Sequence, residues 1–75
     1  MTAVLRLETK GRAGKSVTVV DGLPRNAPFV AGLAKELKAA LGTGGTAKEG
    51  CVEIQGDQRE RLRTLLVIRG LKVKG

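Results

Sequence analysis

Seventy-five residues allow one domain at most, and a chain this short buries only about two thirds of its unfolded surface, so its core is small. Fourteen Lys and Arg against seven Asp and Glu give a net charge of +7, which favours an anionic partner such as nucleic acid. With no His, one Cys and two Asp, the chain can assemble no Cys/His zinc cage, Ser-His-Asp triad or His general base, so a non-enzyme without metal or cofactor is expected.

Residues 3–8 carry Leu5 and Leu7 on one face with Arg6 and Glu8 on the other, and residues 16–20 set Val17 and Val19 opposite Thr18. This period of two predicts a hairpin, joined by the glycine-bearing basic run Lys10-Gly11-Arg12-Ala13-Gly14-Lys15. Asp21-Gly22-Leu23-Pro24 is turn chemistry, after which Asn26 can cap a helix that tolerates Pro28 in its first turn. Val30, Leu33, Ala34, Leu37 and Leu41 form the apolar stripe of that helix, and Gly42 can end it. Lys35 and Lys38 lie off the stripe, three apart and therefore neighbours on the surface.

A second hairpin follows, residues 43–47 and 51–55 around Lys48-Glu49-Gly50, with Val52 and Ile54 on one face and Cys51, Glu53 and Gln55 on the other. Asp57 and Glu60 have capping-box spacing, so a second helix is expected from about Gln58, burying Leu62, Leu65 and Leu66 and stopping at Gly70. Leu71 and Val73 alternate with Lys72 and Lys74 as a last short strand. The order β-β-α-β-β-α-β predicts an α+β two-layer sandwich, a mainly antiparallel sheet with two helices on one face, filling residues 1–75 as one domain.

Two glycine patterns suggest nucleotide binding and fail on context. Gly11 to Ser16 ends like a phosphate-binding loop, but Thr9 stands where the first glycine belongs and the β-branched run Val17-Thr18-Val19-Val20 follows in place of a helix. Residues 42–47 fit a loose dinucleotide pattern but follow a helix and precede a strand, the reverse of the required order. Cys51 lacks a His to activate it and reads as an inert strand thiol.

The cations at 10, 12 and 15 repel one another in the free chain and make most sense where phosphates neutralise them. Arg59, Arg61, Arg63 and Arg69 can be absorbed by Glu60 and the helix surface as solubilising charge. Phe29 is the only aromatic residue, so bases cannot be held by stacking and any RNA would be read through backbone and shape. The lone Cys51, with no apolar run of signal-peptide or membrane-spanning length, leads to the expectation of a reduced, monomeric, cytoplasmic protein without membrane contact.

The stretch Gly44 to Arg59 with its Ile54-Gln55-Gly56-Asp57-Gln58-Arg59 motif, the run Ser16 to Pro24 behind the basic loop, and Leu33-Ala34-Lys35-Glu36-Leu37 resemble the translation initiation factor 1 (SUI-type) family, in particular its bacterial YciH branch. The resemblance implies a non-catalytic factor on the small ribosomal subunit near the peptidyl site that raises the fidelity of start-codon and initiator-tRNA selection. It carries ribosomal RNA contact onto Lys10, Gly11, Arg12, Gly14 and Lys15 of the first loop and onto Lys35 and Lys38 of the first helix. Lys48 and Glu49 match the loop that faces initiator tRNA in eukaryotic members, although the loop here is shorter. Ala39 and Ala40 stand where many relatives carry lysines, which thins the helix contact. A general or stress-related RNA- and ribosome-binding module without a dedicated initiation role is the alternative.

Overall fold

Two antiparallel hairpins and two amphipathic helices build the molecule. A computed structural model describes residues 2–9 and 15–75 of the chain. Strands β1 (Thr2–Glu8) and β2 (Val17–Asp21) are followed by helix α1 (Ala27–Leu41), strands β3 (Gly45–Lys48) and β4 (Cys51–Gln55), helix α2 (Arg59–Ile68) and strand β5 (Lys72–Lys74). The sheet runs β3-β4-β2-β1-β5. Its neighbours are antiparallel except for β5, which lies parallel to β1. The expected α+β order and mainly antiparallel sheet are therefore present, with both helices packed on one face.

Register decides which residues meet the helices. Leu5 pairs with Val20 and Leu7 with Thr18, while Val20 pairs with Val52 and Thr18 with Ile54. Directly opposed residues share a face, so the inner face of β2 carries Thr18 and Val20. Val17 and Val19 turn to the open face. Val19 is nonetheless buried. It stands between Arg6 and Glu53 in the register, where Arg6 also pairs with Glu8 and Asp21, each at 3.2 Å, and its aliphatic stem can cover the valine.

Helix α1 forms as its stripe demands. Asn26 Oδ1 accepts the Phe29 amide at 3.1 Å, Pro28 sits in the first turn, and Val30, Leu33, Ala34, Leu37 and Leu41 are its buried residues. Gly42, at φ 65°, takes the left-handed conformation that ends the helix. Gly70, at φ 82°, does the same beyond α2, where its amide donates to Val67 O and the Leu71 amide to Leu66 O. Leu62 and Leu66 are fully buried, whereas Leu65 is only half-buried at the margin. The helices run antiparallel: Arg69 bonds Glu36 and Arg61 reaches the carbonyl of Ala40.

The start of α2 departs from expectation. Gln58 is the N-cap and its side chain makes no capping bond, and Asp57 and Glu60 do not form a capping box. The Asp57 carboxylate is taken by Arg59 instead, with Nε to Oδ1 and Nη2 to Oδ2 both at 2.9 Å. Buried Thr18 completes the connection, its Oγ1 donating to Gly56 O at 2.6 Å and accepting the Gln58 amide at 2.9 Å. The second hairpin also closes more tightly than expected: β3 includes Lys48, leaving Glu49 and Gly50 as the turn.

Candidate nucleic-acid interface

The strand register gives the sheet two distinct ends. At one end lie Glu8, Val17, Ile54 and Gly45, reached through the pairs Glu8 with Val17, Thr18 with Ile54 and Gly45 with Ile54. Gly56 is stitched to the same end, its amide donating to Ser16 O at 2.8 Å. At the other end lie Asp21 and the Glu49–Gly50 turn, where the Leu23 amide bonds Gly50 O at 3.0 Å. The four residue steps from Val17 to Asp21 separate these ends by roughly 13 Å at ordinary strand rise.

The first end gathers cations. Lys15 is exposed there, one residue before Ser16. Lys38 reaches it from the last turn of α1, its stem packed so closely on Gly45 that a Cβ at that glycine would come within 3.3 Å of Lys38 Cγ. Arg61, in the first turns of α2, donates toward the Ala40 carbonyl at 3.5 Å. Among the described residues, none of these three cations pairs with a carboxylate. Lys35 is exposed one helical turn before Lys38 and is likewise unpaired within the described residues. Lys10, Gly11, Arg12 and Gly14 lie outside the described residues.

Lys48 and Glu49 sit apart from this cluster, at the opposite end of β3 from Gly45. Lys48 Nζ pairs with Glu53 at 3.3 Å. The expected contacts therefore divide between two ends of the molecule.

The remaining arginines are absorbed differently from the sequence expectation. Arg59 pairs with Asp57, Arg69 with Glu36 at 3.1 Å, and Arg63 donates to the carbonyl of Gly75, so Glu60 takes none of them. The partnership of Arg69 and Glu36 spans thirty-three positions and leaves no local signal in the sequence. Arg25, which no motif marked, lines a groove with Ala27, Val30, Ala31 and the second hairpin turn.

Ser16 leads into strand β2, so Lys15-Ser16 does not open a phosphate-binding helix. Burial raises the pKa of the Cys51 thiol, with help from Asp21 and Glu53, and so lowers its thiolate fraction. Among the described residues there is no group of three or more His, Cys, Asp or Glu that could hold a metal, and no helix long and apolar enough to cross a membrane.

The Arg59 hydrogen bonds hold the Asp57 carboxyl below its ordinary value of 3.8. A carboxylate with a depressed folded-state pKa contributes stability above its unfolded pKa and loses it as the pH falls through the folded value. Urea denaturation of the wild type and Asp57→Asn from pH 6 to pH 2 should show the wild type more stable down to about pH 4, with the gap closing in stronger acid. A gap that persisted unchanged to pH 2 would mean that the charge of Asp57 is not what matters.

Fold and surface together define a small basic α+β domain, with Lys15, Lys38 and Arg61 at one end of its sheet. The chain matches the family model for translation initiation factor SUI1 over residues 2–72, and it belongs to that family. It is 55% identical over 64 residues to an uncharacterized protein of Synechocystis, an alignment covering 85% of this chain and 58% of that protein. It is 43% identical over 70 residues to the uncharacterized protein YciH of Escherichia coli (93% and 65%) and 46% identical over 66 residues to a protein translation factor SUI1 homolog of Hyperthermus butylicus (88% and 63%). The chain thus spans about three fifths of the length of these relatives.

Proposed function

We propose that this domain is a translation initiation factor that binds ribosomal RNA of the small subunit near the peptidyl site and contributes to the fidelity of start-codon and initiator-tRNA selection. The observation that carries the reading is the gathering of Lys15, Lys38 and Arg61, without carboxylate partners among the described residues, at one end of a domain of the SUI1 family. An uncompensated cation cluster is repulsive in the free protein and becomes favourable when phosphates displace its counterions. With Phe29 as the only aromatic residue, the contact reads shape and backbone and not stacked bases.

Lys10, Gly11, Arg12, Gly14 and Lys15 of the first hairpin loop, with Lys35 and Lys38 of α1, make the ribosomal RNA contact. The opposite end, with Lys48 and Glu49, faces the initiator tRNA. Catalysis is not required of such a factor. It acts as a steric and electrostatic wedge, tolerated when codon and anticodon pair correctly.

Sedimentation with purified small and large subunits at about 100 and about 300 mM salt tests the reading, because phosphate-dominated binding weakens steeply over that range. The expected result is co-sedimentation with the small subunit alone, lost at the higher salt. Equal binding to both subunits would replace the proposal with a general RNA-binding module, and binding to neither would remove the ribosome from it.

A further inference from the structure

We propose that the free edge of β3 and the groove beside it form a docking site for an extended peptide segment of another protein, which adds to the sheet as a further strand, puts an apolar side chain into the groove and sets an acidic one against Arg25. Strand β3 is an edge strand, hydrogen-bonded only to β4. The Gln55 amide donates to Gly44 O at 3.1 Å, and the two-residue turn closes between Lys48 and Cys51, so the rungs of the β3–β4 ladder fall at Gly44, Thr46 and Lys48. Gly45 and Ala47 therefore aim their amides and carbonyls outward, the pattern that strand addition uses.

The two edges of the sheet differ in how they are guarded. At the β5 edge, two of three residues are lysines, a common device against edge pairing. The β3 edge carries Gly45, Thr46 and Ala47 before Lys48, with no proline and only small side chains along most of its length. Beside it lies a groove of about 360 Å³ between α1 and the second hairpin, with Ala27, Val30, Ala31 and Ala47 as its apolar lining and Arg25, Lys48 and Glu49 as its charged lining. An open ladder supplies affinity and an adjacent pocket for an alternate side chain supplies selectivity, and here the two are contiguous through Ala47.

Charge selects the kind of occupant. Arg25 has no carboxylate partner among the described residues, with Glu49 beside it in the groove, and Lys38 packs over Gly45 at the far end of the strand, so each end of the edge holds a cation that pairs with no carboxylate there. A second copy of this chain, at net charge +7, would bring like charges to both ends. An acidic segment with a central apolar residue matches edge, groove and charge together. Phosphodiester RNA would match the cations alone and leave both the outward amides and the apolar groove unused.

The experiment titrates isotope-labelled protein with a panel of capped octapeptides in which Val, Ile, Leu or Phe occupies a central position between alternating Thr and Glu, following chemical shifts and amide exchange by NMR. The expected result is a shift and slowed exchange at the Gly45 and Ala47 amides for at least one peptide. Its affinity should fall about tenfold in Ala47→Pro, which removes an outward amide but no rung of the sheet, with folding checked by circular dichroism. The same peptide N-methylated at alternate residues should also fail, and that arm leaves the protein untouched.

Four outcomes overturn the proposal: no peptide perturbs β3; binding survives both the proline and the N-methyl groups; the unliganded protein self-associates through these same amides; or a short single-stranded RNA produces the same protection. None of them touches the co-sedimentation result, so the ribosomal reading stands or falls separately.

Discussion

The triple variant Arg12→Ala/Lys15→Ala/Lys38→Ala is expected to bind the small ribosomal subunit on the order of 100-fold more weakly than the wild type at about 100 mM salt, and to lose about two to three units from the slope of log affinity against log salt. Each phosphate neutralised releases condensed counterions and contributes somewhat less than one unit of slope, so three contacts account for both figures. The comparison that gives the experiment its force is Lys48→Ala. This variant removes one positive charge, as Lys15→Ala does alone, but the residue lies at the other end of β3 and already pairs with Glu53. Its effect on ribosomal RNA affinity should stay within about threefold, as for a charge that makes no direct phosphate contact.

Filter binding or fluorescence anisotropy across a salt series measures both numbers. Equal losses from Lys48→Ala and Lys15→Ala would show that net charge alone drives the interaction. The assignment of the two ends to different partners would then be wrong.

Local rules made most of the fold legible before any coordinates. The stripe Val30, Leu33, Ala34, Leu37, Leu41 could bury itself only as a helix, and Asn26 and Gly42 mark its ends by chemistry that acts within four residues. The element order followed from alternation and turn residues, and two helices on one face of the sheet is the simple way to hide the stripes.

What was not legible lay in long-range pairing. Residues 17–20 are all β-branched, so period two could not say which pair faces inward; that was decided by the register with Leu5, Leu7, Val52 and Ile54. For α2, Asp57 and Glu60 had the right spacing for a capping box, but the carboxylate of Asp57 is held by the Arg59 guanidinium, with a longer bond from the Arg59 amide, and the Gln58 amide goes to a threonine forty positions away. Of the candidate interface, the charges were visible individually. Their separation into two ends needed the hairpin registers, and Arg25 acquired a setting only when α1 and the second hairpin came together.

Thr18→Val should destabilise the domain by about 1–3 kcal/mol, the cost of leaving buried polar groups without partners. Valine has nearly the shape of threonine, so no cavity opens and the change isolates the hydroxyl. Its loss takes the donor from the Gly56 carbonyl and the acceptor from the Gln58 amide, both in half-buried residues beside a threonine that itself has no solvent exposure. In a domain of this size, whose whole stability is expected at roughly 4–11 kcal/mol, that is a large fraction, and each kcal/mol moves the midpoint of thermal unfolding by about 4–8 °C.

Thr18→Ser keeps the hydroxyl and loses a methyl group, so by the hydrogen-bond argument it should be the milder change. Val17→Thr, at a half-buried position on the open face, supplies the contrast. Thermal unfolding followed by circular dichroism ranks the three. If Thr18→Val proved as stable as the wild type, the link between β2 and the start of α2 would be packing alone. A loss at the expected size would show that the hydroxyl ties β2 to the start of α2 through its two bonds.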